Sequence, residues 1–244
     1  MNRVPSRQLE WVKFIILPGL VFFVVMGAIE LFRLDIWLAD NLFRWEGGAA
    51  GGWPLRHGFM EQIVLHDWGH KLVVVMALVL LFATVSAWKW RKLRPYRHGL
   101  LYLLLSFLLT VIVVGILKKY THVNCPWDLL RYGGDQPYVP TFSALPDYVH
   151  PGRCFPGGHA TGGYGWIGLY FFAKMYFPRW RWAGLAFALV MGAVFDWDQQ
   201  LRGAHFLSHG LWTLAISWAI AALLYLTVFS PNGRSSNTKA PRNG

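Results

Sequence analysis

Residues 100–117 read LLYLLLSFLLTVIVVGIL, an apolar run without a charged side chain, and this stretch decides the fold class. As an α-helix it would span roughly 27 Å, close to the thickness of the hydrocarbon core of a bilayer. Five further apolar runs lie at 14–32, 72–88, 162–177, 183–195 and 211–229. Hydrophobic residues make up 55% of the chain and charged residues 14%, which is too apolar for a soluble domain. We therefore predict an all-α integral membrane protein with six transmembrane helices.

Lysine and arginine collect in every second connection between these runs. The basic segments lie at 3–13, 89–97, 174–181 and 234–242. By the positive-inside rule these segments face the cytoplasm, so both termini are predicted to be cytoplasmic. The outward-facing segments are then 33–71, 118–161 and 196–210. They hold every histidine except His98, which concentrates the candidate proton chemistry on one face of the membrane.

The sequence predicts one domain followed by a polar C-terminal tail. Residues 1–230 form the predicted six-span domain, and residues 231–244, rich in Asn, Ser and Pro, predict a disordered cytoplasmic tail. Much of the net charge of +11 lies in the predicted cytoplasmic segments, where anionic lipid headgroups account for it. We therefore expect the lipid bilayer as a partner, no nucleic acid, and no obligate protein partner.

The two cysteines, Cys125 and Cys154, fall in the same outward segment. In an oxidising compartment they can form a disulfide, which would stabilise the loop by about 3–4 kcal/mol in the chain-entropy model. Two buried free thiols are the alternative. No C-x-x-C spacing is present, so this pair alone does not indicate a zinc site.

Two short segments carry the clearest chemistry. One reads Cys154-Phe-Pro-Gly-Gly-His159, and the other reads Arg202-Gly-Ala-His205-Phe-Leu-Ser-His209. Histidines beside glycines at the ends of membrane helices indicate a phosphoryl-transfer site, where one imidazole attacks phosphorus and the other protonates the leaving oxygen. The small residues in Pro-Gly-Gly-His also let backbone N–H groups approach an anion at a helix N-terminus.

These segments, in this order, resemble the type 2 phosphatidic acid phosphatase superfamily, whose first two motifs are K-x6-R-P and P-S-G-H. Lys118 and Pro126 fit the first motif, with Cys125 at the arginine position. Residues 156–159 fit the second motif, with Gly157 in place of serine. The resemblance covers roughly residues 118–212 and also implies six spans.

The third family motif is S-R-x5-H-x3-D. Gly-Ala-His-Phe-Leu-Ser at 203–208 is similar to the family's G-V-H-Y-P-S, which makes His205 the motif histidine. The flanks differ: Asp198 and Gln199 stand where Ser-Arg is expected, and His209 stands where Asp is expected.

The resemblance implies a two-step mechanism without a cofactor or a metal. His205 would be the nucleophile that forms a phosphohistidine, and His159 would be the general acid. The expected phosphate ligands are Lys118, Arg202, Gly157 and Gly158, with Lys119 and Arg131 beside them. Arg202 would replace the arginine of the third motif. Arg131 or Arg153 would replace the arginine of the first motif, whose position Cys125 occupies. The candidates for orienting the nucleophile are His209, Asp198 and Asp196.

The substrate implied is an amphiphilic lipid phosphate whose tail enters between spans. Undecaprenyl diphosphate, phosphatidylglycerol phosphate, phosphatidic acid and lipid A phosphates all fit this description. An outward-facing site suits carrier recycling, so we expect a lipid phosphatase in the bacterial inner membrane with its site on the periplasmic side.

Three alternatives stay open. A lipid phosphotransferase of the same family would use the same residues. A zinc-dependent membrane hydrolase would use the i, i+4 histidine pairs His205/His209 and His66/His70 as metal ligands. A six-span transporter is disfavoured because the spans are nearly free of ionisable side chains.

Overall fold

The structure is a computed structural model that describes residues 7–48, 52–141 and 143–229. Helices form most of this part of the chain, and no strand occurs within it. An isolated parallel bridge joins Leu129 to Gln136 within the segment 118–161. The all-helical prediction is confirmed, whereas the predicted tail at 231–244 lies outside the described residues.

The α-helices of the described ranges are numbered in chain order. They are α1 Arg7–Trp11, α2 Leu17–Leu31, α3 Leu34–Trp45, α4 Gly69–Ser86, α5 Arg97–Tyr120, α6 Thr161–Tyr164, α7 Gly168–Tyr176, α8 Arg181–Leu201 and α9 Leu207–Leu224. Wider π-helical turns, at Val12–Ile16, Phe59–Trp68 and Tyr225–Phe229, join α1 to α2, precede α4 and extend α9. Short 3-10 turns lie at Pro54–His57, Arg94–Tyr96, Pro126–Asp128, Leu130–Tyr132, Gly165–Ile167 and Pro178–Trp180.

Four helical runs in the described residues are long and apolar enough to cross a membrane. They are Arg7–Leu31, Phe59–Ser86, Arg94–Tyr120 and Leu207–Phe229. These runs contain all of the third and sixth apolar stretches of the sequence and nearly all of the first and second. The chain is therefore a membrane protein by the length and composition of its helices.

The fourth and fifth apolar stretches form helices that are not both long and apolar enough to cross a membrane, for different reasons. The run from α6 through α7 ends at Tyr176 and is shorter than a typical span. Helix α8 is long enough, but its last turns carry Asp196, Asp198 and two glutamines, which lower its mean hydropathy. Six spans, the orientation and the cytoplasmic termini remain predictions.

Helices α6 and α8 pack closely, backbone against backbone, where they cross. A Cβ atom added to Gly163 would lie 2.1 Å from the backbone N of Gly192, and one added to Gly192 would lie 2.1 Å from the ring of Tyr164. Small residues at a crossing let two helices pack backbone to backbone. This crossing brings the turn that precedes α6 beside the polar end of α8.

The polar end of α8 packs against the first turn of α9. An added Cβ on Gly210 would meet the Asp196 carboxylate at 2.0 Å, so only glycine fits there. Between the two helices, Gly203 adopts a φ of +65°. A Cβ atom added to Gly203 would lie 2.4 Å from the Trp53 ring, so a side chain there would clash with it. This tight turn delivers the 203–209 segment into the interior.

The segments that the sequence predicts to face outward form a packed layer over the bundle, which we call the outward layer. Helix α3, which lies outside every predicted span, contributes Ala39 and Leu42 to a second apolar cluster with Trp53, Tyr132 and Phe206. The layer covers the connection between α8 and α9, and it explains why the histidines there are buried although they lie beyond the apolar runs.

Candidate active site

The two histidines of the 203–209 segment face each other. The Nδ1 atoms of His205 and His209 are 3.3 Å apart, and both side chains are buried. Backbone bonds from Ala204 and His205 to the carbonyl of Gln199 fold the segment back on the end of α8. His205 thus lies in a fixed turn, and His209 lies in the first turn of α9.

Burial lowers the pKa of His205, and the positive charge of Lys118 lowers it further. A lowered pKa keeps the imidazole neutral at physiological pH. Neutral imidazole has the lone pair that a nucleophile requires, so this environment suits the role predicted for His205.

His159 lies in the turn that precedes α6. Its Nε2 atom is 3.2 Å from the carbonyl oxygen of Leu65, and its ring stacks on the ring of His66 with centroids 4.8 Å apart. Burial, together with the nearby positive charge of His66, lowers the pKa of His159 to about 4. At physiological pH His159 is therefore neutral, and a bound phosphate anion would raise its pKa toward that of a working acid.

Lys118 connects the three motif segments. It is at the end of α5, and its Nζ lies 3.1 Å from where a Cβ atom on Gly158 would stand. Gly158 therefore lets the ammonium lie against the Pro-Gly-Gly-His turn, and this charge also acts on His205. A cation beside both histidine-bearing segments can neutralise the charge of a phosphoryl group there.

The Gly157 amide has a different partner from the one predicted. Its N–H donates to the carbonyl of His209 at 3.0 Å, and its own carbonyl accepts from the Thr213 hydroxyl at 3.0 Å. These bonds dock the turn onto α9. The expected use of the Gly157 N–H as a phosphate donor is therefore corrected to a structural one, because that donor is already engaged.

Arg202 is buried at the end of α8. Its Nε donates to the carbonyl of Arg56 at 3.3 Å, and its guanidinium donates to the side-chain oxygen of Gln62. Its charge acts on His159, which places it on the same side of the site. Arg202 therefore presents a positive charge to the site from a fixed position.

Two of the predicted phosphate ligands point elsewhere. Arg131 forms a bidentate pair with Asp40 at 2.6 and 2.5 Å, and about half of its side chain is exposed. The assignment of Arg131 to the phosphate is corrected, because its guanidinium joins the segment after α5 to helix α3. Lys119 is exposed at the end of α5, one position around the helix from Lys118, and Arg153 is exposed as well.

Of the three candidates for orienting the nucleophile, only His209 makes a direct side-chain contact with His205 among the described hydrogen bonds. Asp198 accepts from Gln199 at 2.6 Å, and Asp196 accepts from Gln200 at 3.0 Å. One oxygen of each carboxylate and the Nε2 atom of His209 are buried without a hydrogen-bond partner in the part of the chain that the structure describes.

The sulfurs of Cys125 and Cys154 form a disulfide, with Cα atoms 5.2 Å apart. Together with Asp128 they are the only group of three possible metal donors found among the described side chains. A cysteine binds zinc as its thiolate, and both sulfurs are already bonded to each other in the disulfide, so this group does not fit zinc. The pairs considered for a zinc hydrolase diverge: His66 stacks on His159, whereas His70 is exposed.

Sequence reasoning missed the groups that lie behind the histidines and arginine. These are the carbonyl of Leu65, the side chain of Gln62, and the ring of His66, which the sequence suggested only as a zinc ligand. All three lie on the helical turns Phe59–Trp68, which the sequence placed in an outward loop. The repeated histidine spacing at 66 and 70 was the one signal that could have marked this segment.

The fold and the site define a helical membrane protein in which buried histidines and cations from three separate segments meet beneath a packed outward layer. A family model described as the PAP2 superfamily matches residues 99–232, which is more than half of the chain. The chain belongs to the PAP2 superfamily. All three motif segments lie within the matched residues, and membership indicates phosphatase or phosphotransferase activity. No curated protein and no solved structure matches the chain.

Proposed function

We propose that this protein is a membrane lipid phosphatase that hydrolyses a phosphate or diphosphate monoester of an envelope lipid through a phosphohistidine at His205. The observation that carries the proposal is a buried His205 in contact with His209, with the Lys118 ammonium against the turn that carries His159. A nucleophile, a cation and a second imidazole are the groups that metal-free phosphoryl transfer to histidine requires.

In the first step, the lone pair of His205 Nε2 attacks phosphorus, and the bond between phosphorus and the leaving oxygen breaks. His159, protonated once the phosphate anion is bound beside it, donates a proton to that oxygen, and Lys118 and Arg202 offset the charge on the non-bridging oxygens. In the second step, His159 removes a proton from water, which attacks the phosphohistidine and releases inorganic phosphate. His205 and His159 return to their starting forms.

Support for an amphiphilic substrate comes from an apolar cavity beside the site. It has a volume of about 530 Å³ and is lined by side chains of α2, α8 and α9, including Phe22, Leu189 and Trp212. Trp212 lies one helical turn from His209 on α9, so a phosphate near the histidines and a hydrocarbon tail in the cavity are compatible. We assign the cavity to the lipid tail.

The proposed location is the bacterial inner membrane, with the site on the periplasmic side. Both the charge distribution and the Cys125–Cys154 bridge in the loop next to the site support it, because disulfides persist in oxidising compartments. A polyprenyl diphosphate or a related envelope phospholipid is the substrate class we favour. The proposed partners are this lipid and the bilayer.

The test measures phosphate release in detergent from a panel of undecaprenyl diphosphate, phosphatidylglycerol phosphate, phosphatidic acid and lipid A. Wild type should be inhibited by orthovanadate and resist EDTA. His205→Ala and His159→Ala should each lose about 10³-fold or more in kcat. The matched control is His150→Ala, an exposed histidine on the same predicted side, which should keep full turnover.

Three results separate the alternatives. Retained turnover in His205→Ala would remove the nucleophile. EDTA inactivation that zinc reverses would favour the metal hydrolase. Transfer of the phosphoryl group to an added lipid alcohol, at a rate above that of hydrolysis, would make the protein a phosphotransferase.

A further inference from the structure

The imidazole of His159, the proposed general acid, is held by three neighbours. It stacks on the His66 ring with the two planes 15° apart, and the Phe195 ring packs on it with centroids 4.8 Å apart. Its Nε2 atom lies 3.2 Å from the Leu65 carbonyl oxygen. A carbonyl can only accept, so Nε2 carries a hydrogen and Nδ1 keeps the lone pair of the neutral ring. Nδ1 is therefore the nitrogen that can exchange a proton with the substrate, provided that the ring keeps this orientation.

Of these three neighbours, His66 is the one that packing alone does not fix. Phe195 is buried and Leu65 contributes its backbone, whereas 39% of the His66 side chain is exposed. A side chain exposed to this extent keeps several rotamers unless a hydrogen bond selects one. The Asp67 carboxylate supplies that bond, since the Nδ1 atom of His66 donates to Asp67 Oδ1 at 2.9 Å. The same oxygen accepts from the side-chain amide of Gln62 at 3.2 Å, which fixes the carboxylate in turn.

We propose that Asp67 is a positioning residue of the active site, which fixes the His66 ring so that this ring can hold His159 in place for proton transfer. This inference rests on the proposed function of His159 as the general acid. Asp67 precedes the residues that the family model matches, 99–232, and it belongs to none of the three motifs. Its described hydrogen bonds go to His66 and Gln62, so it acts on His159 through a second side chain.

The contacts of Gln62 extend this arrangement to the phosphate ligand. The side-chain oxygen of Gln62 accepts from the Arg202 guanidinium, while its amide N–H donates to Asp67 Oδ1. Two side chains that support different catalytic groups thus share one carboxylate oxygen. Removing that oxygen should disturb the general acid most, because the His66 side chain is partly exposed, whereas Arg202 is buried and keeps its bond to the Arg56 carbonyl.

The main experiment compares Asp67→Ala with Asp67→Asn in the full-length protein in detergent, on a lipid that wild type hydrolyses. Asp67→Ala should lower kcat about 10-fold and leave KM within about threefold, because a displaced acid slows the chemical step without weakening substrate binding. Asp67→Asn should stay within about threefold of wild type in kcat, because the amide oxygen can still accept from His66. Asp147→Ala, which removes an exposed carboxylate elsewhere in the outward layer, is the matched control and should keep full turnover.

A double-mutant cycle with His66→Phe tests whether Asp67 acts through His66. A phenyl ring can stack on His159 but has no hydrogen bond to lose. In the His66→Phe background, Asp67→Ala should therefore lower kcat by no more than about threefold, against about 10-fold in wild type. Each variant is measured at its own pH optimum. A carboxylate that contacted the substrate or only stabilised the fold would cost the same in both backgrounds.

Two kinetic results would overturn the inference: kcat of Asp67→Ala within about twofold of wild type, or equal losses in the two backgrounds of the cycle. Should Asp67→Ala fail to fold, Asp67→Leu, which keeps the volume but has no acceptor, takes its place. Wild type that releases phosphate from none of the lipids would instead contradict the proposed function.

The orientation of His159 can also be measured without a substrate. NMR of protein with labelled histidines gives the ring-proton signals of His159, identified by their absence in His159→Ala. Stacked aromatic neighbours shift these signals, so Asp67→Ala should move them toward the values of an unstacked ring, and Asp67→Asn should leave them in place. Signals that stay unchanged in Asp67→Ala would overturn the positioning role, whatever the lipid assay shows.

Discussion

The part of the chain that matches the family and the part that precedes it contribute differently to the site. Residues 99–232 supply the groups proposed to react: Lys118, His159, Arg202 and His205. The preceding residues hold no motif of the family. They nevertheless contact several of these groups.

The contacts from the preceding part follow one pattern. Leu65 and His66 meet His159, Gln62 meets Arg202, and the Asp35 carboxylate accepts from the Ser208 N–H at 2.8 Å at the start of α9. The matched region thus defines the chemistry, and the earlier region sets the position and the pKa of the groups that carry it. Variants on the two sides should therefore fail in different ways.

The largest effect is expected on the matched side, for Lys118→Met. This change keeps most of the side-chain volume against Gly158 but removes the charge that meets the phosphoryl oxygens. We expect kcat/KM to fall about 10³-fold, as for the loss of one strong transition-state contact. Lys119→Met is the control, because its exposed side chain lies one position around α5. Similar losses in both variants would show that Lys118 has no special role.

On the other side, Gln62→Leu should have an intermediate effect. It removes the oxygen that accepts from Arg202 and leaves a buried guanidinium with one bond fewer. Because an unsatisfied buried polar group costs about 1–3 kcal/mol, kcat/KM should fall about 10- to 100-fold. Gln62→Glu keeps an acceptor and should retain most of the activity. Unchanged kinetics in Gln62→Leu would mean that Arg202 does not depend on this support.

His66→Phe should change the pH dependence more than the maximal rate. The phenyl ring preserves the stack on His159 but removes a positive charge that lowers the pKa of His159, so that pKa should rise. The limb of the kcat/KM profile that disappears in His159→Ala should therefore move to higher pH. His70→Phe should move it less, because His70 contributes less to the shift. A limb that stays fixed or moves to lower pH would contradict this account.

Much of the helical fold could be predicted from the sequence. A helix that crosses a bilayer needs a long apolar run, and such a run can be recognised in the sequence without knowledge of tertiary contacts. Residues 100–117 fall inside one helix, Arg97–Tyr120. The run at 183–195 was harder to judge, since α8 continues to Leu201 through acidic and amide side chains that pack against α9. Tertiary contacts, which the pattern of hydropathy does not contain, decide the length of that helix.

The site was predictable where function depends on residue type and spacing, as at His159 and His205. The site was not predictable where the position of a side chain depends on contacts with the packed outward layer. The sequence offered Arg131 as a phosphate ligand because it is a cation in the right segment, but it could not show Asp40 approaching from α3. Likewise, no sequence pattern marks the carbonyl of Leu65 as the neighbour of His159, because every residue has one.

The smallest effect is expected for Arg131→Met, which tests whether this arginine belongs to the outward layer alone. Its pair with Asp40 is about half exposed, so its loss should cost about 0.5–1 kcal/mol and leave kcat within about twofold of wild type. The pair lowers the pKa of Asp40, so its stabilisation is present above the usual value of 3.8 and is lost as the pH falls through the lowered value. The difference in Tm between wild type and variant, measured in detergent, should therefore shrink below pH 3.8. A loss of turnover as large as that of Lys118→Met would return Arg131 to the phosphate and would erase the division between the two parts of the chain.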